Sequence, residues 1–269
     1  MLNFAGKKGM IKAIFFDIDG TLVSFKTHQI PQSAIYAIMQ AKKHGIKIYI
    51  STGRPFPLIN NIDEIKHLVD GYITANGAYC FVGDEIILCQ PIPEEDVRTV
   101  IKCADEKDFA CMVVGEKDLA MYRNNVCADR IFHQMLNVRN LQANVLIEPI
   151  IRQRILQLTP VISRTEEERL MSLLPGCESC RWYPDFADIT AKNVNKGNGL
   201  LAIAAYQGIK VEETMALGDG GNDISIIKRA GIGVAMGNAN DSLKAVADYV
   251  TYSVDKDGVY HALKRWVSM

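Results

Sequence analysis

The chain has 269 residues, is 48% hydrophobic, and carries 30 basic against 31 acidic side chains, for a formal net charge of -1. That length and apolar content suit a globular protein with core enough for one large domain or two smaller ones. The even charge leaves no footprint for nucleic acid or an anionic membrane surface, and no apolar run approaches the ~18 residues of a spanning helix.

The opening "MLNFAGKKGM" has two lysines but no apolar stretch after them, so no secretory signal is expected. Met10 reads as a natural start, with the first nine residues a leader of no structural importance. Next, "IKAIFFDIDGTLVS" (11–24) carries a continuous β-rich apolar run, Ala13 to Ile18, as expected of a strand covered on both faces. Pro31 opens the amphipathic "PQSAIYAIMQAKKHG", where Ile35, Ile38 and Met39 recur at helical spacing, lysines come late and Gly45 stands past the end. "IKIYIST" (46–52) and "GYITANG" (71–77) read as the second and third strands. The β-α-β-α-β rhythm predicts a parallel sheet with helices on its faces.

From residue 83 the rhythm changes. "AYCFVGDEIILCQ" is a hairpin turning at Gly83-Asp84, followed by a helix from Pro93 to Lys107 and two short strands. A helix around Ala128 to Leu136, a strand near Leu156, a helix from Thr165 to Leu174 and the strand-like "SCRWYPDFADIT" complete this stretch. The α/β rhythm then returns. Lys196 to Gln207 reads as a helix, "TMALGDG" as a strand and Asn222 to Ala230 as a helix, with strands "GIGVAMG" and "DYVTYS" flanking the helical "DSLKAVA". The fold class expected is α/β, a doubly wound, Rossmann-like parallel-sheet core (1–82 and 186–269) with an inserted α+β domain (83–185).

All seven cysteines lie between Cys80 and Cys180, odd in number and irregular in spacing, which favours reduced thiols in a cytoplasm. The CxxC "CESC" (177–180) could be half of a zinc site or a redox pair, but no second CxxC completes it, and ordinary buried or half-buried cysteines are expected. None of the five histidines pairs with a motif. Trp182, Tyr183 and Phe186 serve core packing or line a cleft, packing being favoured.

The chemistry collects in four islands at the C-terminal ends of predicted core strands or at a helix start, the edge where open α/β sheets bind ligands. They are "DIDGT" (17–21), "STGRP" (51–55), "NKG" (195–197) and "GDGGND" (218–223). Asp17 and Asp19 put two carboxylates at the edge of a core, where ionised groups need a cation, a phosphate held by one, or a lysine. With Asp219 and Asp223 the carboxylates number four, too many to cluster without Mg²⁺ or a similar hard cation. Lys196, Thr21, Thr52 and glycine-freed amides can surround a tetrahedral oxyanion, and a phosphoryl group fits that inventory.

The order DxDGT, (S/T)TGRP, NGA, K, GDxxND resembles the haloacid dehalogenase superfamily, and within it the Cof-like phosphatases with a type IIB cap; "TANGAY" (74–79) is similar to that subfamily's third-strand signature. The resemblance implies that Asp17 is the nucleophile, forming an aspartyl-phosphate, and that Asp19 protonates the leaving oxygen and then activates water. Thr52 and the Gly53 amide would bind phosphoryl oxygens, joined by the Ile18 amide, with Gly20, Arg54 and Asn76 at substrate-binding positions. Lys196 would neutralise the nucleophile and the transferring group. Asp17, the Asp19 carbonyl and Asp219 would hold Mg²⁺, with Asp223 as ligand or support, and Asn222 would bond the phosphate or brace the acidic loop.

Bland readings stand beside these. Asp19-Gly20 alone is a turn, "GDGGND" alone a glycine-rich turn or degenerate calcium loop, and Lys196 alone a solvated helix start. Arg54 could touch substrate, pair with a core carboxylate or brace the loop before Pro55, and Ser51 could replace Thr52 as the phosphate-binding hydroxyl. The motifs in order favour a cytoplasmic Mg²⁺-dependent phosphatase of a small phosphorylated metabolite, such as a sugar phosphate or phosphorylated cofactor. It is expected as a monomer or weak homodimer, with no nucleic-acid or membrane partner. The rivals are a phosphotransferase or phosphomutase on the same scaffold, and a non-enzymatic phospho-aspartate switch.

Overall fold

The structure, a computed structural model, describes residues 11–135, 141 and 146–267, without the side chains of Met135 and Trp182. The expected leader, the Met10 start, the helix end at Leu136 and the packing role of Trp182 lie outside what is described. In chain order the elements begin β1 (Ala13–Phe16), α1 (Gln32–Lys43), β2 (Lys47–Ser51), β3 (Gly71–Thr74), β4 (Tyr79–Val82) and β5 (Glu85–Cys89). They continue α2 (Glu94–Lys107), β6 (Cys111–Gly115), β7 (Leu119–Tyr122), α3 (Val126–Asp129), α4 (Glu148–Ile151), β8 (Ile155–Pro160) and α5 (Arg164–Met171). After β9 (Cys177–Tyr183) and β10 (Phe186–Ala191) come α6 (Lys196–Tyr206), β11 (Thr214–Gly218), α7 (Ile224–Arg229), β12 (Ile232–Ala235), α8 (Asp241–Lys244), β13 (Tyr249–Val250) and α9 (Gly258–Trp266).

Eight strands form the first sheet, in the order β13-β12-β11-β1-β2-β3-β4-β5. From β13 to β3 every neighbouring pair is parallel, and β4 turns back antiparallel to β3. The short apolar β1 is buried along its whole length because it lies between β11 and β2, which explains a run with no polar alternation. Phe16 pairs with both Leu217 and Ile50, so β1, β2 and β11 end within one residue of one another. That register brings the residues following them, Asp17, Thr52 and Asp219, to one edge.

Helix α1 forms where expected, but its buried face is Ala34, Ala37, Ile38 and Ala41, whereas Met39 is exposed. Their i, i+3, i+4, i+7 spacing makes a stripe in which alanines let the helix approach its neighbours. The helix ends at His44, followed by Gly45 at φ +76°, which suits a residue without a Cβ.

Five strands form the second sheet, β7-β6-β8-β10-β9, with every neighbouring pair antiparallel. Val97, Val100 and Ala104 of α2, Ile150 and Ile151 of α4 and Leu170 of α5 pack with Cys111, Val113, Leu158 and Ile189 in one apolar core. Tyr183 stacks on Phe186, whose ring also lies 5.6 Å from that of Phe132, so both aromatics are engaged in packing.

The chain divides into two compact units. One comprises the described residues up to Thr52, with Asn61–Leu88 and everything from Asn195 onward; the other comprises Gly53–Asn60 and Cys89–Val194. The hairpin turning at Gly83-Asp84 continues the first sheet through β5, and β10 pairs with β8 and β9 in the second. All seven cysteines are free thiols. Cys177 and Cys180, three positions apart on β9, face opposite sides of the strand, and burial pushes the Cys177 thiol up to about 12.

Candidate active site

Lys196 is fully buried, yet it is the first residue of α6, where a cation opposes the helix dipole. Two carboxylates make that placement tenable. Its Nζ donates to Asp17 Oδ1 at 2.8 Å and to Asp223 Oδ1 at 2.5 Å, and both acids are themselves buried. Burial alone would pull the lysine pKa down, but the charges of Asp17 and Asp223 outweigh it and hold the ammonium above its ordinary value. Asn195 caps the helix, its side-chain oxygen accepting from the Asn198 N–H at 2.9 Å. Gly197 lets α6 approach α7: a Cβ there would stand 2.6 Å from the Ser225 carbonyl oxygen.

Asp17 follows β1 directly, and its N–H donates to the Leu217 carbonyl, which continues the sheet by one bond. Asp17 Oδ2 accepts no hydrogen bond from the described residues, whereas Oδ1 is held by Lys196. The acidic loop after β11 is folded on its own carboxylate: Asp223 Oδ2 accepts from the N–H groups of Asp219 and Gly220 at 3.0 and 2.9 Å. Asp219 is thereby turned back toward Asp17.

Asp17, Asp219 and Asp223 each offer a carboxylate oxygen within 4.8 Å of the others. Burial and the Asp223 charge push Asp17 up to about 7 against the pull of Lys196, and burial with the Asp17 charge pushes Asp219 up to about 8. Three carboxylates and one ammonium leave two negative charges, which one divalent cation neutralises. Oxygen donors alone, held this close, suit a hard cation such as Mg²⁺. The Asp19 carboxylate is not one of this trio.

The turn after β1 is closed by the Ile18 carbonyl, which accepts from Thr21, Leu22 and Val23. Gly20 sits at φ +88°, and a Cβ there would stand 2.2 Å from Asp219 Oδ2. Thr21, expected to face an oxyanion, instead points its hydroxyl at Asp219 Oδ1, 3.5 Å away. Thr52 is buried beside the β3 end, donating its N–H to Ile73 and accepting from the Asn76 N–H. Asn76 Oδ1 accepts from Asn222 Nδ2 at 3.0 Å, which ties the third-strand turn to the acidic loop.

Gly53 and Arg54 group with the second unit, and Arg54 donates to the Leu58 carbonyl at 3.1 Å, a brace on the loop containing Pro55. Ser51, one residue before Thr52, is also buried, and its hydroxyl has no hydrogen-bond partner among the described residues. The structure adds one residue that sequence reasoning missed. Asn238 Nδ2 donates both to the Gly20 carbonyl at 2.8 Å and to Asp219 Oδ2 at 3.1 Å, while its Oδ1 accepts from the Val254 N–H. The available signal was its place just past β12, the next strand along the same edge.

A buried ammonium shared by two aspartates, with an acidic trio at the carboxyl edge of a parallel sheet, is a site of the kind with which α/β proteins bind ligands. A family profile described as haloacid dehalogenase-like hydrolase matches residues 14–263. The chain is 47% identical to the subclass IIB sugar phosphatase BT4131, with a TM-score of 0.89 over 94% of this chain and 98% of that one. It is 37% identical to BT1666 of Bacteroides thetaiotaomicron, a phosphatase of the same superfamily, with a TM-score of 0.86 over 99% and 98%. The Bacillus subtilis (strain 168) protein YkrA is 30% identical over 257 residues, 94% of this chain and 96% of its own length. The chain belongs to the haloacid dehalogenase-like hydrolases, in their Cof-like, subclass IIB branch, and is an enzyme of the phosphatase class, as its motif order implies. No helix among the described residues is long and apolar enough to cross a membrane.

Proposed function

We propose that the protein is a Mg²⁺-dependent phosphatase of small phosphorylated metabolites, sugar phosphates first among them, working through a phosphoryl group carried on Asp17. The observation that supports it best is the placement of Lys196 between Asp17 and Asp223, with only one Asp17 oxygen engaged. The sugar assignment draws on BT4131, which is named a sugar phosphatase.

In this reading Asp17 Oδ2 attacks phosphorus, forming an O–P bond as the bond to the sugar oxygen breaks. Asp19 gives its proton to that departing oxygen. Water then attacks the phosphorus, Asp19 takes the proton, and Asp17 is released with inorganic phosphate. Lys196 holds Asp17 Oδ1, which orients Oδ2 and offsets charge on the transferring group. Thr52, with the amides of Ile18 and Gly53, receives the phosphoryl oxygens, and Asn222 stands beside them. Asp17, Asp219 and the Asp19 carbonyl would hold Mg²⁺, with Asp223 positioned behind them by its own bonds to Lys196 and the loop amides. When bound, the cation neutralises oxygen charge as it develops in transfer. The inserted α+β unit acts as the cap that selects the leaving group.

Free-phosphate release from a panel of hexose, pentose and cofactor phosphates tests this, with Mg²⁺ and with EDTA, on the natural protein and Asp17→Asn. Release that requires Mg²⁺ and disappears in the variant is expected. Silence of the natural protein across the panel would remove the proposal.

A further inference from the structure

Three consecutive residues after β3 have left-handed backbone: Ala75 at φ +48°, Asn76 at +56° and Gly77 at +109°. For a residue with a Cβ this region is crowded and sparsely used, and Ala75 and Asn76 are both buried. Such conformations persist where the surroundings over-determine them, and they gather at functional sites.

What surrounds this turn is the site itself. The Asn76 N–H donates to the Thr52 carbonyl at 3.1 Å. The Asn76 side chain accepts from Asn222 at 3.0 Å. Gly77 lies against the start of α6, where a Cβ would stand 2.4 Å from the Asn195 carbonyl oxygen and 3.2 Å from the Lys196 backbone nitrogen. One turn therefore touches the segment after β2, the first turn of the lysine helix and the acidic loop after β11. Asn222 precedes Asp223, whose oxygens hold Lys196 and the amides of Asp219 and Gly220. A tether on Asn222 is a tether on that loop.

We propose that the turn Ala75–Asn76–Gly77 is the positioning element of this site, setting Thr52, Lys196 and the Asp219–Asp223 loop relative to one another, with Asn76 acting by holding Asn222 and not by touching substrate. The choice of asparagine follows from the two demands placed on it. Asn tolerates left-handed backbone better than other residues with a Cβ, and its amide oxygen supplies the acceptor Asn222 needs. The kinetic consequence rests on the phosphatase reading; the structural coupling does not.

Asn76→Gly keeps the backbone freedom and removes the acceptor, whereas Asn76→Asp keeps both. With the natural secondary structure retained by circular dichroism, Asn76→Gly is expected to lower kcat about 10- to 100-fold, the scale of a misplacement near 1 Å, with KM within about threefold. Asn76→Asp should restore most of that loss. The double variant Asn76→Gly/Asn222→Ala should lose no more than Asn222→Ala alone, because both changes cut one link. Hydrogen exchange, read without substrate, should quicken over residues 218–224 in Asn76→Gly and stay unchanged over α9. A folded Asn76→Gly protein with natural kcat and natural exchange over 218–224 would overturn the proposal. So would a loss confined to KM and additive with Asn222→Ala, which marks a substrate contact. Should Asn76→Gly fail to fold, Asn222→Ala carries the test in reverse: exchange over 75–78 should quicken, and natural rates there would overturn it. Absence of phosphate release by the natural protein would count against the phosphatase reading and leave the exchange result standing.

Discussion

Gly20 and Asp219 occupy adjoining space: a Cβ at Gly20 would lie 2.2 Å from Asp219 Oδ2, well inside any real contact, and Gly20 sits at φ +88°. The missing side chain is what allows the acidic loop to close on the turn after β1. Gly20→Ala therefore has two costs, a left-handed alanine worth about 1–3 kcal/mol and a displaced carboxylate. In the folded Gly20→Ala variant, Mg²⁺ affinity measured by titration calorimetry should fall together with the denaturation midpoint, and natural values of both would contradict this close packing.

Asn238 tests the same carboxylate from the other side. It bonds the Gly20 carbonyl, Asp219 Oδ2 and the Val254 N–H, yet it is itself exposed. Asn238→Ala should leave the denaturation midpoint close to that of the natural protein. Mg²⁺ affinity should weaken by about 10-fold or more, the usual effect of removing a group that orients a metal ligand. Natural Mg²⁺ affinity in the variant would show that Asn238 does not govern Asp219.

Lys196→Met leaves Asp17 and Asp223 buried without their shared cation. Breaking a buried pair in this way costs about 3–5 kcal/mol. Because one lysine serves both acids, Lys196→Met and Asp17→Asn should be strongly non-additive in a double-mutant cycle read by chemical denaturation. Additive losses would mean that the two side chains do not share an interaction. Turnover should be lost in either variant.

The acids also predict a pH dependence whose sign changes the usual expectation. Burial and neighbouring charge raise Asp17 to about 7 and Asp219 to about 8, from 3.8 in the unfolded chain. Between those values the folded protein binds more protons than the unfolded chain, so stability from these groups is greatest at acid pH and falls as pH rises from about 4 towards 8. The slope is about 1.4 kcal/mol per pH unit for each proton held. In EDTA, the pH 8 minus pH 5 difference in denaturation midpoint should be more negative for the natural protein than for Asp17→Asn. Mg²⁺ favours the ionised carboxylates and should shrink that difference. Equal pH responses with and without Mg²⁺ would contradict the arrangement.

Much of the architecture is legible in local pattern. The unbroken apolar run of β1 signals a strand covered on both faces, and the Gly83-Asp84 pair signals the turn between β4 and β5. Pattern fails where packing chooses between similar side chains. In α1 the larger Met39 is left in solvent while Ala34, Ala37 and Ala41 face inward, since the helix lies close to its neighbours. Pattern also fails at sheet edges, because the sequence of a hairpin does not state which sheet it joins. β5 extends the first sheet and β10 closes into the second.

The candidate site divides along the same line. Sequence by itself determined which chemical groups are present and which strand ends carry them: two aspartates after β1, a hydroxyl and glycine after β2, a lysine opening α6 and an acidic, glycine-rich loop after β11. These are local facts of spacing and strand termination. Only the tertiary structure decided that Asn76 holds Asn222, 146 positions away, and that Asn238 reaches back 218 positions to Gly20. Such bonds depend on the lateral order of strands, and a single chain's periodicity carries no information about which strand lies beside which.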